Sequence, residues 1–387
     1  MSATFEYDII IIGGGPAGLS TALHIARDFP HLTSRLLLLE KARYPRPKLC
    51  GGGLVADAEV LLERLGLDVR EVPHVDAAAI HFDFAGQGLT FSAPTGHALR
   101  IIRRDEFDAW LASKALQAGI EIRQGVTVKN VVVQREGVLI ECDAGNFHAQ
   151  VVVGADGSNG LTRRCVLPQS SLQTARLLEV LTPPDGQHPT PSQHEADHAY
   201  FDFRPVPRGI AGYIWDFPTQ VKGEAKRCWG IYDTNLLAGQ NRVPLRAALA
   251  EEMERNGFDL NAFELQGHPI RWFSPFRPIS TSRVILVGDA AGADPLFGEG
   301  ISMALGYGRI AARALQQALL SGDFSFQRYR QQVLRSPLGQ TLTIRWVIAQ
   351  ILYHLHWEWF QKRFWRVFRP LILLVAWKWV LNWGKRL

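Results

Sequence analysis

The chain reads as an α/β protein: a Rossmann-like nucleotide-binding domain, a second antiparallel-sheet domain and a C-terminal helical region. Three observations carry this. Residues 7–40 run strand, glycine turn, helix, strand, acid. Two later apolar runs, Gln150–Asp156 and Arg283–Gly288, each end in a turn of Gly and Asp. Between them lie aromatic segments of strand character at 199–205, 212–218 and 227–233. A length of 387 residues suffices for two domains. The hydrophobic share of 47% lies in the soluble globular range.

Taken in order, Tyr7–Ile12 is a short apolar strand, and GGGPAG follows at 13–18. Gly13 permits the turn, Gly15 leaves room for a pyrophosphate, and Gly18 lets the helix pack close to the sheet. Free N–H groups at the helix start suit phosphates. Leu36–Leu39 forms the next strand and ends at Glu40, placed to accept bonds from a ribose. Residues 41–53, KARYPRPKLCGGG, are a loop. Its Arg43, Arg46 and Lys48 either face phosphates or are solvated. Cys50, beside three glycines, either faces a ligand or is a small buried residue. A helix is expected over Ala56–Leu67 and strands over 77–94. Asp105 is expected to cap a helix carrying Phe107, Leu111 and Leu116, with Arg103 or Arg104 at its start facing a ligand or solvent. Residues 121–133 and 136–149 read as paired strands. Gln150–Asp156 then runs into GADGSNG, a turn where open α/β sheets place ligands.

Residues 182–198 form a loop expected to be solvated, and His188, His194 and His198 lack metal-ligand spacing, so no metal is expected. Tyr213, Trp215 and Phe217 share one strand face, either as core or as the wall of a pocket for a long apolar substrate. A helix is expected over 244–258. After Arg283–Gly288, Asp289 stands at a strand end, within reach of a sugar hydroxyl. Pro295 restricts the following loop. The backbone of Gly298, Gly300 and Ile301 opens a long helix whose N-terminus suits negative charge. This segment must return to the first sheet to be buried. The expected division is 1–165 with 280–325, then 166–279, then 326–387.

The net charge of +5 is unevenly spread. Lys362, Arg363, Arg366, Arg369, Lys378, Lys385 and Arg386 lie in a stretch without acids, 361–387. The remainder is slightly acidic, which argues against a nucleic-acid binder. Trp346, Trp357, Trp359, Trp365, Trp377 and Trp379 accompany these cations, and the Leu371–Trp377 run is too short to span a bilayer. Tryptophans beside lysines and arginines fit a helix in the interface of an anionic membrane, against the alternative of a packed bundle or dimer contact. The four cysteines have neither metal nor disulfide spacing. MSATFEYD carries no signal-like basic and apolar pair of segments. A cytoplasmic location, peripheral on the inner face of the membrane, is expected.

The three ligand-facing segments, GGGPAG with Glu40, GADGSNG and GDAAGADPLFGEG, resemble in their order the flavoproteins that bind FAD in the aromatic-hydroxylase manner. PRPKLCGGG at 45–53 and GYIWDFP at 212–218 resemble the geranylgeranyl reductase family. That family reduces isolated C=C bonds of prenyl chains in lipids, chlorophyll precursors or quinones. The segment GGGLVAD after Cys50 departs from the chlorophyll-type members. Motif positions and resemblance together imply FAD held by Gly13, Gly15, Pro16, Ala17, Gly18, Glu40, Lys48, Gly51, Gly52, Arg104, Asp156, Gly157, Asp289, Pro295, Gly298, Gly300 and Ile301. Cys50, Tyr213, Trp215 and Phe217 are the implied catalytic group. Pro218 completes the matched aromatic motif. The implied reaction adds a hydride from flavin N5 and a proton across a prenyl double bond, with electrons from NAD(P)H or a small redox protein. The alternatives are an FAD-dependent monooxygenase or halogenase acting on an aromatic compound, and a flavin carrier without turnover. A halogenase calls for an additional lysine and a Trp-rich motif in the body of the chain, and no clear candidate stands there.

Overall fold

In the computed structural model, residues 5–93, 96–168, 174–185, 194–237, 242–367, 370, 373 and 380–387 are described. The strand Tyr7–Ile12 is central to an eight-stranded sheet. It pairs in parallel with Leu36–Glu40 on one side and Gly145–Gly154 on the other, in the registers Ile9↔Leu36 and Ile9↔Val151. Helices and the outer strand layer cover both faces, so Ile9, Ile10 and Ile11 are fully buried and the strand reads as continuous apolar sequence. Each such side chain contributes about 1.5–3 kcal/mol of transfer free energy. Val284–Leu286 adds in parallel beside Gly145–Gly154, as its apolar run requires.

The helix Pro16–Asp28 packs on Ile301–Ser321. The approach is close: Ser20 Oγ donates to the Leu305 carbonyl at 2.8 Å, and a side chain at Gly308 would collide with Ser20. The late helix therefore does return to the first sheet.

Seven strands form a second sheet, in the order Gln266–Arg271, Thr174–Thr182, Glu224–Asp233, Gly212–Val221, His198–Asp202, Ala79–Phe84, Gln87–Ser92. Residues 79–92 thus belong to this sheet, although the sequence grouped them with 1–165. Ala79–Phe84 runs parallel to His198–Asp202, with Phe82 opposite Phe201. Alternation marks a strand but does not name its partner. A three-stranded sheet of Gly53–Leu54, Leu99–Ile102 and His74–Ala77 lies between the two larger ones in the chain's path.

Two local expectations fail. Asp105 does not cap its helix: Arg104–Gln117 starts one residue earlier, with Arg103 at the cap position and no side-chain cap bond. His194 is not solvated but stacks on Tyr200 at 3.8 Å and meets Asp216 Oδ2 through Nδ1 at 2.7 Å. His198 opens a strand, and His188 lies outside the described residues.

Among the described residues, the C-terminal region is chiefly core. Helices Tyr329–Arg335 and Pro337–His354 bury Tyr329, Val333, Leu338, Leu342 and Tyr353. Trp365, on Glu358–Val367, is buried among the second sheet's aromatics. Trp383 is fully buried, and its ring occupies the place a side chain at Gly306 would take. Gly384 N–H donates to Asp57 Oδ1 at 2.8 Å. The described apolar tail residues therefore act largely as packing, which their composition does not distinguish from a membrane-facing role. Trp357 and Trp359 are exposed beside Lys362, Arg363 and Arg366. Trp377, Lys378, Trp379 and most of Leu371–Trp377 lie outside the described residues. Among the described residues, no helix is long and apolar enough to cross a membrane.

Candidate functional site

A cavity of about 1210 Å³ runs from the first glycine turn to the aromatic face of the second sheet. A single small ligand occupies roughly 300–1,000 Å³, so this space suits a dinucleotide and a second molecule. At its first end are Gly13, Gly15, Pro16 and Ala17. Gly13 has φ +109°, a conformation side chains rarely adopt, and a Cβ there would strike the Ala155 carbonyl. Gly15 faces open space, with only the tip of Arg46 within 4 Å of a Cβ built on it. The thirteen-residue helix beginning at Pro16 has no side-chain cap, so its first N–H groups are available to a ligand. Gly18 is not a lining residue. It packs against the Gly13 carbonyl and Ala155, which holds the turn on the sheet.

Glu40 lines the cavity and braces the turn. Its Oε2 accepts from Gly14 N–H at 2.7 Å and its Oε1 from Ala42 N–H at 2.9 Å. Each oxygen keeps a lone pair for a ribose hydroxyl. Arg46 spans Glu40 at 3.6 Å and Asp108 at 3.1 Å. Asp108 also takes Arg104 in a bidentate pair, at 2.8 and 2.9 Å. This buried aspartate orients both guanidiniums, and the sequence reading missed it. Its spacing of four from Arg104 on one helix was the available signal. Asp156 and Gly157 line the cavity, but Asp156 Oδ2 is engaged by the Thr162 N–H and hydroxyl at 2.8 and 2.9 Å. Its Oδ1 is buried without a partner, and burial raises its pKa.

Asp289, Gly298, Gly300 and Ile301 also line the cavity. The Ile301–Ser321 helix also lacks a side-chain cap, and Gly300 faces only Asp289 Oδ1, at 3.5 Å from a built Cβ. Ser158 Oγ donates to Asp289 Oδ2 at 3.3 Å. Pro295 is a correction: it is buried away from the lining, and its carbonyl accepts from Tyr232 OH at 3.4 Å. The restricted loop is real, but the proline acts from behind it. Lys48 Nζ meets His268 Nε2 at 2.6 Å. Burial and the lysine charge push His268 down to about 4, so it is neutral near pH 7 and accepts this bond. Cys50, Gly51 and Gly52 also line the space, with Gly52 N–H directed at Cys50 Sγ at 3.4 Å.

Tyr213, Trp215 and Phe217 all face the cavity, as alternation on one strand requires. The wall is wider than the motif. Phe201 pairs with Trp215 across strands, and Phe82 stacks on Phe201 at 4.8 Å. Phe91 meets Phe82 edge-on at 5.7 Å. These additions come from 79–92 and 198–202, which become neighbours only through sheet pairing. Gly230 makes the surface flat: a Cβ there would collide with the Trp215 ring. Tyr213 OH donates to the Phe297 carbonyl and so ties the wall to the loop before Gly298. From the helix Pro337–His354, the fully buried Arg345 reaches both Asp294 and Glu299 through Nη1 at 2.6 Å.

These features fit FAD. Two uncapped helix N-termini open onto one cavity, Gly15, Gly157 and Gly300 leave it clear, and the carboxylates of Glu40 and Asp289 line it as acceptors for hydroxyl groups. The family model described as "FAD binding domain" matches residues 6–323. An uncharacterised protein of Methanosarcina barkeri is 28% identical over 335 residues, 85% of this chain and 81% of that protein. Digeranylgeranylglycerophospholipid reductase 3 of Methanosphaera stadtmanae is 26% identical over 367 residues, 90% of this chain and 87% of its own. The crystal structure of a geranylgeranyl bacteriochlorophyll reductase-like protein from Thermoplasma acidophilum superposes with a TM-score of 0.72 at 23% identity, covering 90% of this chain and 88% of that one. The halogenase PltM gives 0.68 at 17% identity, covering 90% and 77%. At these identities the two solved structures establish the fold they share with it. This chain belongs to the FAD-binding domain family and is an FAD-dependent oxidoreductase, similar to the geranylgeranyl reductases.

Proposed function

We propose that this protein reduces isolated C=C bonds in a prenyl chain of a lipid or quinone. The observation that carries the reading is the continuous aromatic wall, Phe91, Phe82, Phe201, Tyr213, Trp215 and Phe217, leading to Cys50–Gly52. A small polar or aromatic substrate needs no such length. A branched aliphatic chain gains burial along all of it. The relative named as a digeranylgeranylglycerophospholipid reductase supports the same substrate class.

Reduced FAD, when bound, supplies the hydride. The chain's own residues do the rest. The wall holds the alkene at the Cys50–Gly51 segment and keeps water out. The faces of Trp215 and Tyr213 stabilise positive charge developing on the alkene carbon. The Cys50 thiol holds a proton beside that carbon. Arg46 and Arg104, held by Glu40 and Asp108, set N–H donors beside the cavity together with Lys48, and these suit the anionic phosphates. The electron donor under this reading is NAD(P)H or a small redox protein.

The exposed Trp357, Trp359, Arg363 and Arg366 form the part of the tail suited to an anionic membrane surface, where a prenyl lipid resides. Peripheral attachment on the cytoplasmic face follows from this reading.

The test is anaerobic. The purified holoprotein is reduced, prenylated lipids or quinones are added, and flavin absorbance is followed. Reoxidation by prenyl compounds supports the reading. A flavin that stays reduced until oxygen and an aromatic substrate are admitted assigns the protein to oxygenating or halogenating chemistry instead.

A further inference from the structure

A second pocket, of about 380 Å³, lies away from the cofactor cavity and is built mainly of guanidinium groups. Arg27, Arg64, Arg309 and Arg386 line it, together with the buried His24. They arrive from four places in the chain: the last turn of Pro16–Asp28, the end of Ala56–Arg64, the interior of Ile301–Ser321 and the segment Gly384–Arg386. Pro16 opens on the cofactor cavity, and Arg27 stands about 16 Å further along that helix. Three of the guanidiniums are held by backbone oxygens. Arg27 Nη1 donates to the Arg64 carbonyl, Arg64 Nη2 to that of Lys385 at 2.6 Å, and Arg309 Nη1 to the Leu387 backbone oxygen at 2.5 Å. A carbonyl orients a guanidinium without neutralising it.

Among the described residues, the side-chain carboxylate paired with this group is Asp28, 2.7 Å from Arg27 Nε and 3.7 Å from His24 Nδ1. A carboxylate on Leu387 added to Asp28 would still match only half of the four cations. Arg27 and Arg64 close their helices, where C-terminal carbonyls favour a cation. Arg309 and Arg386 have no such reason to be there. Two polar atoms of the lining residues also stay unbonded. Arg309 Nε, and Nδ1 of the 3% exposed His24, are buried without a hydrogen-bond partner. Burial, with the charges of Arg313, Arg64 and Arg27, holds the Arg309 guanidinium below its usual pKa, and Asp28 opposes them. Burial and the charges of Arg27 and Arg309 push His24 down to about 4, against Asp28, so its ring is neutral near pH 7.

Like charges gathered this closely cost free energy unless an anion joins them. The planar fork of arginine matches phosphate oxygens two at a time, and several forks around one small volume favour a phosphate over a lone carboxylate. The volume falls at the lower end of small-ligand sites, with room for a phosphate and part of the group it esterifies. We infer that this pocket binds a phosphate ester, its oxygens shared among Arg64, Arg309 and Arg386. The bound anion ties the Gly384–Arg386 segment to three helices. Gly384 N–H also bonds Asp57, which lines the cofactor cavity, so the anion steadies that wall from outside. The site stands whether or not the protein reduces prenyl chains.

The test uses FAD-loaded protein, so that the cofactor's own phosphate sites are filled. Inorganic phosphate and glycerol 3-phosphate are titrated by calorimetry, against chloride at equal ionic strength. Saturable binding is expected in the wild type, and phosphate should raise its unfolding midpoint. The double variant Arg64→Gln with Arg386→Gln should bind roughly ten- to a hundredfold more weakly. Both side chains are exposed, and Arg386→Gln alone serves if the pair misfolds. Flotation with neutral vesicles carrying phosphatidate then identifies where the phosphate comes from. A variant that binds soluble phosphate less but floats like the wild type assigns a soluble ester. One that floats less assigns a lipid headgroup. A variant that matches the wild type in both measurements, whether both proteins bind or neither does, overturns the inference.

Discussion

Single residues decide the shape of the substrate wall, and Gly230 shows how. Its place on the strand Glu224–Asp233 is unremarkable in sequence, yet the Trp215 ring fills the space beside it. Gly230→Ala should push that ring out of plane and destabilise the fold by about 1–3 kcal/mol, the usual cost of overpacking. Denaturant unfolding measures the loss, and prenyl turnover should fall further than FAD content. The glycine turn at 13–18 and Glu40 were legible because backbone sterics and phosphate geometry admit few residue types there. Asp108 was not, since a carboxylate becomes informative only when its burial and partners are known. Pro295 was misread for the complementary reason: a conspicuous loop residue need not face the ligand.

Elements carry the connection between the tail and the cofactor. The helix Pro337–His354 inserts Arg345 between Asp294 and Glu299, and Arg345 Nη2 also donates to the Val380 carbonyl at 3.0 Å. Asp294 lies in the loop that leads into Gly298–Ile301, and Glu299 lies within that segment. Arg345→Met leaves the buried Asp294 and the partly buried Glu299 without their cation and should cost about 3–5 kcal/mol. Thermal unfolding would show the loss, and equilibrium dialysis should show weakened FAD retention. Normal stability and flavin content would mean the helix merely lies against the loop. The sequence exposed each element separately, through apolar periodicity and glycine punctuation. It did not expose the pairing of Arg345 with acids about fifty positions away. Asp105 illustrates the limit at helix ends, where a cap and a first-turn acid look alike.

The whole molecule combines a sheet for the cofactor with a sheet for an oily substrate. The first was legible nearly throughout, because parallel buried strands give continuous apolar runs. The second was legible in part. Tyr213, Trp215 and Phe217 marked a face, but Phe82 and Phe91 join it through a strand borrowed from early in the chain. The tail shows the same ambiguity at larger scale. Trp365 and Trp383 are core, so removal of 361–387 would unfold the protein instead of testing membrane attachment. The suitable variant is Lys362→Gln, Arg363→Gln and Arg366→Gln together. It should keep its stability but lose binding to anionic vesicles in flotation, while neutral vesicles bind neither form. Unchanged flotation would remove this helix face as the anchor.

The most direct test of the central claim is the mass of the prenyl compound after one anaerobic turnover of reduced holoenzyme. The account predicts a gain of two hydrogens at one double bond, in step with the flavin reoxidised. An unaltered prenyl mass, with flavin reoxidised only by oxygen, would contradict it.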